Sequence, residues 1–155
     1  MSMLTLWRFK AVKVTPTIST TQYSANDVVG GLLTLPVRND ESGLASGFVM
    51  RVQVVDKDGV GPAGKLYLFA EKPAALADHA AFSLAAADIA KLIGDPIAIP
   101  SYDEIGTVKR KEVALDVGQG YSAGDGNLYG YFVADATPDF TNTDALTFLV
   151  HVAVM

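Results

Sequence analysis

The sequence predicts an all-β fold: an antiparallel β-sandwich, jelly-roll-like and of about eight strands, with one short helix near residues 83–93. Three observations predict it. Short runs rich in Val, Ile, Thr, Tyr and Phe recur along most of the chain, several alternate apolar and polar residues with period two, and clusters of Gly, Asn, Asp and Pro separate them. The 155 residues, half of them apolar, suffice for one domain with a core of its own.

In chain order, residues 12–19 (VKVTPTIS) are β-branched and edge-like, because Pro16 has no N–H for a ladder. Residues 27–37 (DVVGGLLTLPV) read as an apolar strand whose Gly30–Gly31 pair permits a bulge or bend. In residues 48–56 (FVMRVQVVD), alternation places Phe48, Met50, Val52 and Val54 on one face and Arg51 and Gln53 on the other, which predicts a half-buried strand. Residues 66–70, 96–102, 111–117, 128–135 and 146–154 complete the set. Val113, Leu115 and Val117 form one buried face, as do Leu146, Phe148, Val150, Val152 and Val154, with Thr147 and His151 opposite. NDESG (39–43), GQGYSAGDGN (118–127) and ATPDFTNTD (136–144) read as loops. The Ala-rich stretch 80–96 differs. Leu84, Ala87, Ile89 and Leu92 stand near helical spacing with Gly94 and Pro96 as stop signals, which predicts a short helix covering one end of the sandwich.

Composition narrows the function. The absence of cysteine removes thiol nucleophiles, thiolate zinc sites and disulfides. Charged residues make up only 19% of the chain and the net charge is −5, so the surface is thinly charged and partners are expected to cover part of it. The acidic balance argues against a broad nucleic-acid surface. No apolar run reaches the roughly eighteen residues of a membrane span, and MSMLTLWRFK lacks the basic-then-apolar order of a signal peptide. The expectation is a soluble protein used without export, with neither membrane nor nucleic acid as partner.

Each motif that suggests chemistry has a plainer explanation. GVGPAGKL (59–66) offers Gly59, Gly64 and Lys65 of a phosphate-binding loop, but Leu66 stands where a hydroxyl would hold magnesium, and a strand follows instead of a helix. A hairpin connection is the simpler reading. Asp56, Asp58 and Gly59 suggest a calcium loop that lacks its third acidic ligand and its closing Glu, so a turn with positive φ at the D-G pair is expected. Gly118, Gly120 and Gly124 have the wrong spacing for a dinucleotide fingerprint. His79 and His151 have no further His or carboxylate at metal-ligand spacing, so neither metal nor cofactor is expected. No G-x-S-x-G elbow is present. Lys109, Arg110 and Lys111 are the densest charge: either a solvated strand edge that discourages aggregation, or a patch for an acidic partner. With no convergent polar constellation, a structural role is expected over an enzymatic one.

The succession YSANDVVGGLLTLPV (23–37), LYLFAEKP (66–73), AAFSLAAADIAKLIG (80–94) and NLYGYFVADATPDFTNTDALTFLVHV (127–152) resembles a family of small virion proteins of tailed bacteriophages. The resemblance spans roughly residues 15–154 and carries no catalytic residues. It implies a capsid decoration or cement protein on the virion surface, a homotrimer clamping the major capsid protein against internal pressure. Ahead of the stretch that the resemblance covers, residues 1–11 are expected to form an N-terminal arm before one domain, 12–155, with Trp7, Arg8 and Phe9 as candidate contacts with the shell or the next protomer, aromatics and Arg being the residues that dominate interface energies; the plainer reading is that Trp7 caps the core of its own subunit. Lys109, Arg110 and Lys111 form a second candidate contact. Two other readings remain: a tail or neck component, and a carbohydrate-binding module using Tyr121, Tyr129 and Tyr131 as a stacking surface.

Overall fold

The computed structural model describes residues 7–155, the side chains of residues 116 and 117 excepted. Nine strands and one helical turn follow in order: β1 (Arg8–Val14), β2 (Leu33–Pro36), β3 (Ser46–Asp56), β4 (Gly64–Phe69), α1 (Ala86–Ile89), β5 (Ile97–Ile99), β6 (Asp103–Ile105), β7 (Val108–Ser122), β8 (Asn127–Ala134) and β9 (Leu146–Val154). They form two antiparallel sheets, one of five strands in the order β1-β9-β3-β7-β6 and one of four in the order β2-β8-β4-β5. The chain changes sheet at most of its connections. The expected all-β fold of antiparallel sheets is what the chain forms.

Strand β9 behaves as its alternation predicts: Leu146, Phe148, Val150, Val152 and Val154 are each at most 1% exposed, while Thr147 and His151 are only half-buried on the other face. Their inward side chains meet Leu35, Leu66, Leu128 and Phe132 of the other sheet in the main core. In β8 the picture differs, because both faces are buried. Leu128 and Phe132 point into the main core, whereas Tyr129, Tyr131 and Val133 join Phe69 and Val28 in a second cluster on the far side of the four-stranded sheet. Phe82, Leu84, Leu76 and Leu92 cover that cluster. Residues 71–95 therefore act as a strap across the outer face of the four-stranded sheet.

The strap is mostly extended, and this corrects the helix expected over 83–93. Only Ala86–Ile89 is helical, and no side chain caps its N-terminus. The strap is held edge-on: Val28 and Phe82 donate backbone N–H bonds across it to Ala80 and Asn26, and Ala70 to Lys91. Those tertiary bonds, with Phe82 and Leu84 drawn onto the tyrosines, outweigh the helix propensity of the alanines, which is worth only tenths of a kcal/mol per residue. Ile89 stays 53% exposed as a result.

Other expectations also shift. The run 12–19 begins earlier and ends earlier: β1 starts at Arg8 and stops before Pro16, pairing along its length with β9 from Arg8↔Val154 to Val14↔Phe148. The boundary expected between residues 11 and 12 thus falls inside a strand, and residues 1–6 of the expected arm lie outside the described residues. Residues 27–37 narrow to β2, because Gly30 and Gly31 take φ of 91° and 68° and turn the chain. The loop expected over 118–127 is shorter, since β7 continues through Ser122. Val113 and Leu115 pack partly buried against the core, and the side chain of Val117 lies outside the described residues. GVGPAGKL is no hairpin: it carries the chain from β3 in one sheet to β4 in the other.

Strand β3 holds the largest correction. Its register with β9 runs Val49↔Val152 and then Arg51↔His151, so Met50 is an extra residue, a bulge. Val49, Val52 and Val54 are fully buried, while Phe48 and Met50 are 42% and 39% exposed. The bulge reverses the phase of the alternation before Val52, and the half of the strand expected inside lies outside.

Candidate interaction surface

The residues that suggested chemistry serve the framework. Asp56 is buried at the end of β3, where its carboxylate accepts the N–H groups of Asp58 at 2.9 Å and Gly61 at 2.7 Å. Gly59 takes φ of 70°, the positive value expected for the D-G turn. Asp58 reaches across to the loop before β9, accepting the N–H groups of Thr141 and Asn142 at 2.8 and 2.9 Å and the Asn142 amide at 2.5 Å. Burial by itself would raise the Asp58 carboxyl, and these bonds outweigh it and hold it below its ordinary value. Lys65 lies on β4 with its Nζ 3.8 Å from Asp135, not at the start of a helix. Among the described residues no group of three or more His, Asp or Glu side chains is placed to hold a metal ion.

The fold assembles one polar set that spacing along the chain does not reveal. The Tyr23 hydroxyl donates to Asp78 Oδ1 at 2.7 Å and accepts the Ser19 N–H at 2.7 Å, and the same carboxylate oxygen accepts the Gly30 N–H at 2.7 Å. Burial first, and then Asp78, push the Tyr23 hydroxyl well above the ordinary tyrosine range. The His79 ring stacks on Tyr23 with centroids 4.0 Å apart, its Nε2 2.9 Å from the Thr21 carbonyl and its Nδ1 3.5 Å from Asp27. Tyr23 is 1% exposed, and its partners are the chain's own main chain and carboxylates. The set fastens the strap to the loop before β2.

The three tyrosines of the carbohydrate reading are buried. Tyr131 is fully enclosed beneath the strap, donating to the Ala74 carbonyl at 2.7 Å and accepting the Leu76 N–H at 2.8 Å. Tyr129 donates to Asp125 and is 5% exposed, and Tyr121 is 8% exposed with its hydroxyl pushed up to about 12 by burial. None presents a ring face on which a sugar would stack.

Among the described residues, the face left open is the outer face of the five-stranded sheet. Register aligns Phe9, Ala153, Phe48 and Gly120 across β1, β9, β3 and β7 in one row, and Ala11, His151, Arg51 and Ala114 in the next. Phe9 is 83% exposed, and Trp7 packs on Phe48 with ring centroids 5.7 Å apart. A shallow cleft of about 410 Å³ lies between Phe9, Met50 and Arg51 with His151 at its floor. Four of the seven large apolar side chains exposed among the described residues, Trp7, Phe9, Phe48 and Met50, belong to this one cluster. Burial, and after it the Arg51 charge, lower the His151 pKa against the opposing pull of Glu112, and its Nε2 is buried without a hydrogen-bond partner.

The two candidate contacts are placed apart. Trp7 and Phe9 lie in the cluster, and Arg8 pairs with Glu41 at 2.5 Å beside it. Lys109, Arg110 and Lys111 pair with Asp56, Val55 and Val54 at the opposite end of the same sheet, about 20 Å away at 3.3 Å per residue. Lys109 is 3.7 Å from Glu104 and Arg110 is 2.8 Å from Glu112, so two of the three cations have acidic neighbours. Phe48 and Met50 belong to the surface and were expected in the core. Only the bulge moves them, and nothing in FVMRVQVVD marks where a bulge falls. No family model matches the chain, and no curated protein matches it.

Proposed function

We propose that this chain is a non-enzymatic structural protein of a bacteriophage virion, a capsid decoration or cement protein that binds the outer surface of the major capsid shell, as a trimer, on a jelly-roll-like scaffold. The single observation that carries it is the contrast between the two outer sheet faces: one is closed by the chain's own strap, the other leaves Trp7, Phe9, Phe48 and Met50 in solvent. An aromatic cluster of that kind on a rigid sheet serves an interface and not a pocket reaction. The similarity of residues 23–37, 66–73, 80–94 and 127–152 to small virion proteins supplies the kind of interface, and the net charge of −5 suits an outer position away from packaged DNA. A ring of copies on a shell needs two patches per protomer, one for the neighbour and one for the shell, and the sheet offers an apolar end and a basic end.

Quantitative mass spectrometry of purified virions tests the proposal. A copy number comparable to that of the major capsid protein, together with earlier loss of DNA on heating when this protein is absent, is the expected result. A copy number of one small ring per particle would move the protein to the tail or neck, and absence from the virion would end the reading.

A further inference from the structure

The strands of the five-stranded sheet differ from the rest of the molecule in charge as well as in polarity. Seven of the twelve Lys and Arg residues lie on strands of the five-stranded sheet, three on β1, one on β3 and three on β7, against five of the seventeen acids. Those strands carry net +2 and the remainder −7. On the open face itself Arg51 lines the cleft beside the aromatic cluster, Lys13 lies two rows beyond Phe9, and Arg110 stands at the far end. The acids that answer them are Glu112, 3.1 Å from Arg51 and 2.8 Å from Arg110, and Asp103, in register with Arg110. Lys13 lies in register with Leu149 and Gln53, beside no acid on its row until Glu112 on β7.

This distribution selects among occupants. A second copy packed face to face would set one sheet whose strands carry net +2 against another, a like-charge contact that an interface avoids. A second copy packed head to tail would need an apolar patch elsewhere, and among the described residues the other exposed large apolar side chains, Leu44, Ile89 and Ile105, are scattered over a loop, the helical turn and β6. A bare polyanion would leave Trp7, Phe9, Phe48 and Met50 wet.

We infer that the bare face of the five-stranded sheet, from the Trp7–Phe9–Phe48–Met50 cluster to Lys13 and Arg51, is the surface that docks on the shell, and that its partner is a protein surface presenting an apolar projection ringed by carboxylates. The aromatic cluster takes the projection, the cleft over His151 receives its tip, and Lys13, Arg51 and the basic β1 edge meet the acids. This inference rests on the decoration reading and assigns the shell contact to this face instead of to Lys109 and Lys111, which lie on the other phase of β7.

The experiment measures binding of the purified protein to shells stripped of it, by co-sedimentation. Wild-type affinity is expected to fall about tenfold between about 50 and about 300 mM salt, as charge screening removes the acid–base contacts. Phe9→Ser with Phe48→Ser should lower affinity by about a hundredfold at both salts, because the aromatic anchors carry the apolar contact. Lys13→Glu should weaken binding at low salt and flatten the salt dependence, while Lys109→Ser with Lys111→Ser should bind like wild type. Both phenylalanines are exposed, so an unchanged melting temperature keeps the first variant informative. Shells that bind wild type and the face variants equally would overturn the inference and leave the decoration reading intact. Shells that do not bind wild type at all would overturn both. Light scattering and binding to duplex DNA or anionic vesicles complete the test: a face variant that breaks up an oligomer, or wild type that binds either polyanion through this face, would assign it to a second copy or to a polyanion and overturn the inference.

Discussion

Asp56 shows how one residue sets a loop. Its two carboxylate oxygens each accept an N–H, from Asp58 and Gly61, and the adjacent Lys57 N–H bonds the Ala145 carbonyl at 2.9 Å. Tyr102 closes the same turn by donating to the Pro62 carbonyl at 2.7 Å, its hydroxyl raised above the tyrosine range by burial and by the Asp56 charge. Removing the carboxylate leaves two N–H groups unanswered in a buried place, each costing about 1–3 kcal/mol. Asp56→Ala is therefore expected to destabilise the protein by about 3 kcal/mol, and Asp56→Asn, which keeps one acceptor, by about half of that, read as shifts in the urea midpoint at constant slope. Equal loss in both variants would mean that charge, not acceptor geometry, holds the turn. Sequence alone identified the D-G turn, because it depends on Gly59 and its neighbours. It could not show that Asp58 would bond Thr141 and Asn142, eighty-odd positions away.

Among the elements, β1 carries the most consequence for the surface. It is an edge strand whose outward residues Phe9, Ala11 and Lys13 extend the open face, and whose inward Val12 is 4% exposed in the core. Deletion of residues 1–11 is thus not a clean removal of an arm. It strips Arg8–Ala11 from their register with His151–Val154 and bares the edge of β9. A chain so shortened is expected to melt several degrees lower and to aggregate through that edge, since an unpaired apolar edge strand is a template for pairing. Unchanged melting and a monodisperse profile in size-exclusion chromatography would restore the arm. Alternation predicted β9 in full, because all five of its inward residues obey one phase. It failed in β3, where a single extra residue reverses the phase. It failed in the strap for a different reason, since local helix preference there yields to burial of Phe82 against Tyr67 and Tyr131, with ring centroids 4.5 and 5.9 Å away.

For the whole molecule, the response to acid follows from groups distributed over both ends of the sandwich. Asp88, bonded by the Lys91 ammonium and the Ala74 N–H, and Asp125, bonded by the Tyr129 hydroxyl and the Asn127 N–H, join Asp58 below the usual 3.8. The unfolded chain protonates these carboxyls first as pH falls, so their stabilisation is complete above about pH 4 and is lost as pH drops through the lower folded values. His151 acts earlier. Its folded pKa lies below 6.5, so the unfolded state takes up the proton first and stability declines as pH falls below that value. The urea midpoint is expected to fall in two stages, a small one between about pH 7 and about pH 5 and a steep one below about pH 4, with the first stage missing in His151→Gln. Parallel curves for wild type and variant would assign the first stage to other groups.

By itself the sequence determined the all-β class, the inward face of β9, the turn at Gly59 and the lack of thiol chemistry, since each depends on composition or on neighbours within a few positions. Tertiary structure alone decided the rest. Which sheet face is covered, whether Phe48 and Met50 face the core or the solvent, and how far Phe9 stands from Lys109 are set by strand order, a bulge and the path of the strap. These are contacts between distant parts of the chain, and their free energies exceed the local preferences that periodicity reports.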